Sequence, residues 1–323
     1  MRVGVIGVGN MGVHHARIYK QMAGVELVGV ADVDEEKALE VAKLYDTEAF
    51  TDNEELLKRV DAVSIAVPTT QHEEVAMAAI RHGVHCLIEK PIAHSLKSAR
   101  RIVEAAKDAG VKIMVGHVER FNPAVIALKR EIDAGRLGKV VSISSKRVGP
   151  YPPRIKDVGV IIDLAVHDID VISFLYGKKV RDVSAIAGNG VHPHEDYASI
   201  LLAYDENKAG LVDTNWLTPH KVRVLVAVGV KGVAYLDYIA QTLEIHRKSF
   251  VEDVPVEKSE PLRNELEHFI RGIVSGGRLS PSGEEGIHAL AVALAAIRSY
   301  KTRRTVPVDE VLLKDDHLDE DDL

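Results

Sequence analysis

The chain has 323 residues, of which 46% are apolar, so it is long enough for two globular domains with sizeable cores. Its 41 Lys and Arg residues against 48 Asp and Glu give a net charge of −7, which argues against nucleic acid as a partner. The single cysteine, Cys86, excludes a disulfide framework within the chain and favours a reducing, cytoplasmic location. A strand pattern begins directly after Met1 and no apolar run is long enough to span a bilayer, so we expect neither a signal peptide nor a membrane partner.

The first element is an apolar run from Val3 to Ile6, which is typical of a buried parallel strand. It leads into Gly7, Gly9 and Gly12, spaced as G-x-G-x-x-G at the start of a helical pattern. In a dinucleotide-binding unit the first glycine allows a tight turn, the second lets a pyrophosphate approach the backbone, and the third lets the helix pack closely on the strand. The free amide groups at the helix N-terminus then favour the phosphates.

A second apolar strand at 25–31 ends in Asp32, about 20 residues after Gly12, the spacing at which a carboxylate binds an adenosine ribose. A glycine turn without a ligand remains the alternative for the isolated motif, but the complete strand–helix–strand unit favours a bound dinucleotide. No arginine follows within 33–35, so a 2′-phosphate would meet negative charge. The sequence therefore predicts NAD in preference to NADP as the cofactor.

Up to about residue 122, apolar strands alternate with helical patterns, which predicts an α/β domain with a parallel sheet and helices on both faces. The later strands are predicted at 49–50, 62–67, 84–88 and 112–115. The helices are predicted at 10–22, 35–45, 53–60, 73–82 and 95–109. In such sheets ligands bind beyond the carboxyl ends of the strands. The residues that lie at or just after these ends are Pro68, Thr69, His72, Glu89, Lys90, Gly116 and His117.

After Phe121 the pattern changes to consecutive strands with short connections, which predicts an α+β domain with an antiparallel or mixed sheet. Its strands are predicted at 140–147, 180–188, 197–204, 210–216, 222–228, 232–238, 242–247 and 304–308. Its helices are predicted at 123–134, 162–176, 262–275 and 283–301. We therefore expect one domain at 1–120, a second at 121–310, and a frayed acidic tail at 314–323.

Glu89-Lys90-Pro91 closes a predicted strand of the first domain. A lysine at this edge, beside a bound nicotinamide, can donate hydrogen bonds to a substrate hydroxyl and lower the pKa of that hydroxyl. Glu89 can pair with Lys90 or reach cofactor or substrate hydroxyls, and Pro91 can fix the turn, with a cis peptide as one option. A solvated surface pair of Glu89 and Lys90 is the alternative interpretation.

Asp163 and His167 are four residues apart, so a helix would present them on one face. Three interpretations remain open from the residues alone. Asp163 can be the N-cap of the helix, the pair can orient His167 as a general base for an alcohol proton, or both can ligate a metal. A metal requires a third ligand, and none is near in sequence, so we predict no metal site.

The segment from Gly116 to Pro123 links the two domains. Arg120 and Asn122 are suited to polar or anionic substrate groups, and Phe121 can cover an apolar ring face. A plain hinge, with Pro123 starting a helix, is the alternative.

Three other features are weaker. Tyr151 lies in a rigid loop that either shapes a substrate pocket or only connects two elements. His192–Asp196 contains metal-ligand types in a predicted turn, where solvation is expected. Trp216 lies in an alternating strand and is interpreted as a core residue or an inter-subunit contact.

In this order the motifs resemble the Gfo/Idh/MocA oxidoreductase family, and the resemblance extends over nearly the whole chain. The segments that carry it are 7–12 (GVGNMG), 66–72 (AVPTTQH), 89–91 (EKP), Asp163-xxx-His167 and 282–286 (SGEEG) before a long Ala-rich helix. The family's usual Gly-Gly stretch before the aspartate is replaced here by VGVII at 158–162.

The resemblance implies an N-terminal Rossmann domain, with a doubly wound parallel sheet, and a C-terminal α+β domain with a large open, mostly antiparallel sheet. That sheet is usually an oligomer interface, so a homodimer or homotetramer is expected. The implied reaction is hydride transfer between NAD(P) and a secondary alcohol of a sugar, polyol or nucleotide sugar. His167 would take the hydroxyl proton, Lys90 would polarise the oxygen, and Asp163 would orient the substrate or the lysine.

The expected site residues fall into two sets. We expect the cofactor to contact Gly7, Gly9, Asn10, Met11, Gly12, Asp32, Val33, Val67, Pro68, Thr69, His72, Glu89 and Lys90. We expect the substrate to contact Lys90, Arg120, Asn122, Tyr151, Asp163 and His167.

Residues 116–123 look most like family members that oxidise the 3-hydroxyl of UDP-N-acetylglucosamine, with Arg120 as a pyrophosphate or sugar contact. Two other functions stay open. One is an inositol or polyol dehydrogenase, since substrates change easily on one scaffold. The other is a non-catalytic NAD-binding regulator, although a pure sensor needs no proton acceptor such as His167.

Overall fold

The computed structural model describes residues 1–153 and 158–314, which form two compact units. The first unit comprises Met1–His117 and Leu262–Ile287, and the second comprises Val118–Pro261 and the chain from His288 onward. Apart from Lys314, the predicted acidic tail lies outside the described residues. No helix in the described part of the chain is long and apolar enough to cross a membrane.

A six-stranded, fully parallel sheet organises the first unit, with strand order β3-β2-β1-β4-β5-β6. Its strands are β1 Arg2–Ile6, β2 Glu26–Ala31, β3 Glu48–Phe50, β4 Ala62–Ile65, β5 His85–Glu89 and β6 Ile113–Gly116. The connecting helices are α1 Gly12–Gln21, α2 Glu35–Tyr45, α3 Asn53–Leu57, α4 His72–Arg81 and α5 Leu96–Asp108. This is the predicted doubly wound sheet, and the prediction is confirmed.

The strand order reverses between β1 and β4, which are hydrogen-bonded neighbours at the centre of the sheet. Val3 and Val5 on β1 are fully buried, and so are the side chains of β4. A reversal of strand order opens a crevice at the carboxyl ends of the flanking strands, which is where ligands bind in this architecture.

A late segment of the chain completes the first unit. Its helices are α8 Pro261–Val274 and the first turn of α9 Gly283–Thr302. The Lys112 ammonium donates to the carbonyls of Gly272 (2.8 Å) and Gly277 (2.5 Å), and the Val115 amide donates to the carbonyl of Pro281 (3.0 Å). The outer edge of β6 is therefore hydrogen-bonded to residues that come much later in the sequence.

A nine-stranded sheet organises the second unit, in the order β14-β13-β12-β11-β7-β10-β9-β8-β15. Its strands are β7 Val140–Pro150, β8 Asp182–Gly188, β9 Tyr197–Tyr204, β10 Lys208–Asn215, β11 Leu217–Gly229, β12 Gly232–Asp237, β13 Thr242–His246, β14 Val251–Asp253 and β15 Val306–Pro307. The helices are α6 Pro123–Asp133, α7 Val166–Tyr176, the rest of α9, and α10 Val308–Lys314. Only β7 and β10 pair in parallel, so the predicted large, mostly antiparallel sheet is confirmed.

The two faces of this sheet differ sharply in burial. On β9, Ala198, Ile200 and Leu202 are buried, whereas Leu201 between them is 46% exposed. Leu211 on β10 is exposed on the same side as Leu201, because the two residues are paired across the strands. A concave region of about 1160 Å³ lies on this face, and the chain from Ser299 to Thr305 contributes to its lining. One face thus forms the core of the unit and the other presents apolar side chains to solvent.

The structure corrects several predicted elements. The helix predicted at 162–176 begins with a π-helical turn at Ile161–Ala165, and only Val166–Tyr176 is regular α-helix. The short edge strand Val251–Asp253 was not predicted, because three residues carry little periodic signal. The terminal helix Val308–Lys314 was not predicted either, because its first residue was included in the strand predicted at 304–308.

Candidate active site

The glycine turn of the first unit has the geometry that its spacing predicts. Gly7 has φ +84, and a Cβ there would lie 2.7 Å from the Ala66 backbone. A Cβ on Gly12 would lie 1.8 Å from the Gly7 carbonyl oxygen, so α1 packs directly on the turn. A Cβ on Gly9 would meet no atom within 4 Å in the described chain. Gly7 and Gly12 are therefore required by the fold, and Gly9 leaves an open approach to the backbone.

The N-terminus of α1 faces this approach. Within the described chain no side chain caps the helix, and the first turn contains no acidic residue. Asn10 is exposed, and Met11 occupies the N-cap position. An uncapped, positively polarised helix end is suited to a pyrophosphate.

Asp32 lies just after β2 and already organises the turn. Its Oδ2 accepts a hydrogen bond from the Val8 amide (2.9 Å), and its Oδ1 accepts one from the Asp34 amide (3.0 Å). A carboxylate offers about four acceptor positions, so two remain for ribose hydroxyls. The adjacent Val33 side chain is 85% exposed.

His72 connects the end of β4 to the turn after β5. Its Nε2 lies 3.0 Å from the Val67 carbonyl and its Nδ1 lies 3.0 Å from the Pro91 carbonyl. The ring is buried, and burial lowers the pKa of His72. The His72 side chain therefore connects the two loops. At the same edge of the sheet, Pro68 is exposed and Thr69 is half-buried.

A chain of buried polar groups leads to Glu89. The Tyr19 hydroxyl and the Ser64 hydroxyl are 2.9 Å apart, Ser64 Oγ is 2.9 Å from His15 Nδ1, and His15 Nε2 is 2.9 Å from Glu89 Oε1. An ionised carboxylate only accepts hydrogen bonds, so Nε2 carries a proton. Burial alone would raise the pKa of Glu89, but the His15 hydrogen bond and the charge of Lys90 lower it. Glu89 is thus held as a carboxylate immediately before Lys90.

Sequence reasoning missed His15, Ser64 and Tyr19 as parts of this chain. The signal that could have found two of them is the helical spacing of α1, in which His15 and Tyr19 fall on the buried side.

Lys90 itself is half-buried, and the Lys90–Pro91 peptide is cis.

In the second unit, Asp163 lies inside the π-helical turn and His167 lies in the first turn of α7, and both are half-buried. The interpretation of Asp163 as the N-cap is wrong. The Glu195 carbonyl accepts from the Val160 amide (2.8 Å), and the Glu195 carboxylate accepts from the Ile161 amide (3.2 Å). Glu195 therefore caps this turn. Asp163 lies in the middle of the turn and does not cap it.

The expectation that His192–Asp196 is a solvated turn is wrong for its last two residues. Glu195 and Asp196 are buried. The Asp196 carboxylate accepts hydrogen bonds from the Gly190 (2.9 Å), Val191 (2.7 Å) and His192 (3.1 Å) amides, so it folds the loop around itself.

Three rings meet beside this loop. The Tyr151 ring centroid lies 4.8 Å from that of His192 and 5.4 Å from that of Trp216. Trp216 is buried, as its interpretation as a core residue requires, and its amide donates to the Asp196 carbonyl (2.9 Å). The loop, the rings and the Asp163 turn are thus joined through Glu195 and Asp196.

A buried network of charges lies under α7. Arg147 donates through Nε to Asp168 Oδ2 (2.7 Å), through Nη2 to Asp168 Oδ1 (3.2 Å), and through Nη1 to Glu119 Oε1 (2.6 Å). The Ser145 hydroxyl also donates to Asp168 (2.6 Å). Burial opposes the charge of Arg147, but Asp168 and Glu119 outweigh it and raise the Arg147 pKa. Because Asp168 directly follows His167, the network fixes the helix turn that carries His167.

Arg120 and Asn122 have structural partners. Arg120 forms a two-pronged pair with Asp170, through Nε and Nη2 at 2.6 Å each, and both residues are buried. Asn122 is the N-cap of α6, accepting from the Ala124 amide (3.1 Å) and donating to the Tyr238 carbonyl (3.0 Å). The interpretation of Pro123 as a helix start is confirmed, and the guanidinium and amide groups expected to bind substrate hold α6 and α7 in place.

Lys90 belongs to the first unit, whereas Asp163, His167 and Tyr151 belong to the second. Among residues 1–153 and 158–314, no group of three or more His, Cys, Asp or Glu side chains could hold a metal ion. Cys86 is a free, buried thiol whose pKa burial raises to about 12.

A glycine turn under an uncapped helix, at the crevice of a doubly wound sheet, is the arrangement of a dinucleotide-binding Rossmann unit. The family model for oxidoreductases with an NAD-binding Rossmann fold matches residues 1–117, and the GFO/IDH/MocA C-terminal domain matches residues 125–235. The chain belongs to the Gfo/Idh/MocA family, as its motifs predicted. It is an oxidoreductase that acts on CH–OH groups with a nicotinamide cofactor.

Two curated relatives cover nearly the whole chain. A UDP-N-acetylglucosamine 3-dehydrogenase from Acidithiobacillus ferrooxidans is 32% identical over 91% of this chain and 95% of its own length. An inositol 2-dehydrogenase from Rhizobium meliloti is 30% identical over 95% of this chain and 99% of its own length. A solved structure of the A. ferrooxidans enzyme superimposes with a TM-score of 0.88, at 31% identity, and covers 94% of this chain and 98% of that one.

Proposed function

We propose that this protein is an NAD-dependent dehydrogenase of nucleotide sugars, and that it oxidises the 3-hydroxyl of UDP-N-acetylglucosamine. The observation that carries the proposal is the 32% identity, over 91% of the chain, to an enzyme named for that reaction. Lys90, Asp163 and His167 are the residues to which we assign the chemistry.

In the proposed reaction the O–H and C–H bonds of the secondary alcohol break and a C=O bond forms. His167 accepts the hydroxyl proton, and the carbon-bound hydrogen leaves with its electron pair as hydride. Lys90 stabilises the negative charge that develops on the oxygen, and Asp163 orients the substrate or the lysine. NAD, when bound, supplies the hydride acceptor at nicotinamide C4.

The residues of the first unit fit NAD. The uncapped helix end, the open space above Gly9 and the two remaining acceptor positions of Asp32 suit a pyrophosphate and an unphosphorylated ribose. A 2′-phosphate would meet the Asp32 carboxylate, so NAD is preferred to NADP.

The test is formation of NADH with UDP-N-acetylglucosamine, N-acetylglucosamine and myo-inositol as parallel substrates. We expect turnover with the UDP-sugar. Turnover with myo-inositol alone would instead support the second candidate, an inositol dehydrogenase, which the 30% identical relative favours. Absence of NADH with any alcohol would leave the chain as an NAD-binding protein without this activity.

Lys90→Ala and His167→Ala should each lower kcat by about 100-fold or more, because each removes a group that acts on the reacting oxygen. NAD binding, measured by the rise in melting temperature, should persist in both variants. Lys97→Ala and His220→Ala are matched controls at exposed positions. Full activity of either site variant, or loss of NAD binding, would contradict these roles.

The protein is also proposed to form a homodimer or homotetramer through the open face of the second sheet, and to reside in the cytoplasm. Exposed apolar side chains such as Leu201 and Leu211 on the open face of the sheet favour burial against another copy. Leu201→Glu should lower the mass measured by light scattering. An unchanged mass in an otherwise folded variant would place the interface elsewhere.

A further inference from the structure

His15 on α1 lies at the centre of the buried polar chain that ends at Glu89. His15, Ser64 and Tyr19 are completely buried, and the Glu89 side chain is only 12% exposed. Solvent therefore does not compete for the contacts of the imidazole. Each ring nitrogen has a polar partner at 2.9 Å, which is Ser64 Oγ for Nδ1 and Glu89 Oε1 for Nε2.

The protons of this chain are all directed toward Glu89. The carboxylate only accepts, so His15 donates from Nε2. Nδ1 of the neutral ring then accepts from the Ser64 hydroxyl, whose oxygen accepts from the Tyr19 hydroxyl at 2.9 Å. Burial raises the pKa of Tyr19, so the phenol keeps the proton that it donates. In this direction every hydroxyl and ring proton has an acceptor within the chain, which holds the imidazole in one tautomer and one orientation.

The two oxygens of the Glu89 carboxylate have different partners. Oε1 accepts from His15, and Oε2 accepts from the Lys90 backbone amide at 3.3 Å. The carboxylate also lies against the neighbouring strand β6, since a Cβ on Gly116 would be 3.1 Å from Oε2. Glu89 is therefore confined between α1, β6 and the turn that carries Lys90, and it joins His15 to the backbone of that turn.

We propose that His15 is a positioning residue for hydride transfer: by donating to Glu89 it fixes the carboxylate that holds the Lys90 amide, and thereby the backbone from which the Lys90 side chain extends. His15 is completely buried, so it acts on Lys90 only through Glu89. The inference rests on the role that the proposed function gives to Lys90. It adds a residue of the dinucleotide-binding helix to the groups that determine the rate.

Asn and Gln separate the roles of the two ring nitrogens. The amide nitrogen of Gln is as many bonds from Cα as Nε2 of His, so His15→Gln keeps a donor for Glu89, whereas the shorter Asn reaches only as far as Nδ1. His15→Asn should lower kcat by about 10–100-fold, because a small displacement of a reacting group is costly, while KM and NAD affinity stay within about twofold. His15→Gln should recover most of the rate. The same substitutions at His14, the exposed neighbour on α1, are the matched controls and should leave kcat unchanged.

Hydrogen exchange of the Lys90 amide, followed by mass spectrometry, tests the same contacts without turnover. In the wild type this amide should exchange more slowly than an unprotected amide. It should exchange faster in His15→Asn than in the wild type or His15→Gln. The Cys86 amide, which donates to the Lys112 carbonyl at 2.9 Å within the sheet, is the internal reference and should not change.

A double-variant comparison tests whether His15 acts through Glu89. In a Glu89→Ala background, His15→Asn should lower kcat no further, because the contact is already lost. An additional loss in that background would overturn the inference, and so would full kcat in folded His15→Asn. Equal losses in His15→Asn and His15→Gln would also overturn it, because they would show that the packing of α1 matters and the donor does not.

An unprotected Lys90 amide in the wild type would overturn the inference without any variant, even if His15→Asn does not fold. If the wild type oxidises no alcohol, the proposed function fails, and the effect on hydride transfer fails with it. The exchange rates then still decide whether His15 holds the turn that carries Lys90.

Discussion

His288 is a buried histidine whose ring nitrogen is an acceptor in the fold. Its Nε2 accepts a hydrogen bond from the Val180 amide at 3.0 Å, so that nitrogen is unprotonated in the native state. Burial lowers its pKa from 6.5 to about 4, as does the charge of Lys179, while Asp170 and Asp309 act in the opposite direction. Protonation of Nε2 would break the hydrogen bond and leave a charge inside the second unit.

The sign of the pH dependence follows from the two pKa values. Between pH 6.5 and about 4 the unfolded chain binds a proton at His288 that the folded chain excludes, so stability falls as the pH falls. For these values, the free energy of unfolding decreases by about 2 kcal/mol from about pH 7 to about pH 5 through this group alone. That is a large fraction of the stability of an ordinary domain.

The measurement is urea unfolding at a series of pH values, followed by tryptophan fluorescence. Trp216 is the single tryptophan of the chain and lies in the same unit as His288, so the signal reports on the relevant part of the molecule. His288→Gln keeps an acceptor oxygen near the Val180 amide but does not titrate. We expect the stability advantage of the wild type over this variant to shrink by about 2 kcal/mol between the two pH values.

Subtracting the variant removes the contribution of other titrating groups, including His72 and His268, whose pKa values are also lowered. A difference between wild type and variant that stays constant with pH would refute the reasoning. It would mean that His288 titrates alike in the folded and unfolded chains, and that burial does not exclude its proton.

Two further predictions concern the glycine turn and the buried ion pair. Gly12→Ala should abolish the rise in melting temperature with NAD, because the new methyl group would lie 1.8 Å from the Gly7 carbonyl oxygen, whereas Gly9→Ala meets no protein atom in the described chain and should keep the fold. Retained NAD stabilisation in Gly12→Ala would contradict the close packing of α1. Asp170→Asn should lower the free energy of unfolding by about 3–5 kcal/mol, because it removes the negative charge that Asp170 places against the buried Arg120 guanidinium. Urea unfolding measures this loss, and a loss below about 1 kcal/mol would place the pair in the range of a surface ion pair.

The part of the fold that was predictable depends on local patterns. The run from Val3 to Ile6 is apolar because both faces of a central parallel strand are covered, and the glycines after it are needed within a few residues of one another. The alternation on β9 likewise marks a sheet with one covered face. Such signals are contained in short windows of sequence, and they were sufficient for the class of fold.

The contacts of Arg120 and Arg223 were not predictable in this way. Arg120 was expected to contact substrate because an isolated arginine is a good anion ligand, but its partner Asp170 comes fifty residues later and is brought to it by the packing of α7. The sequence around Arg223 on β11 does not distinguish it from a solvated side chain. Only the pairing of β11 with β7 places it beside Arg147.

The hydrogen bonds between β6 and the late segment have a consequence for how the protein is made. While the ribosome synthesises the second sheet, the finished strands of the first have an uncovered outer edge, with the Val115 amide and the Lys112 ammonium still without Pro281, Gly272 and Gly277. Exposed strand edges template association between nascent chains. The first unit is therefore complete only once its late segment has been synthesised, and a fragment ending at residue 117 would lack these partners of β6.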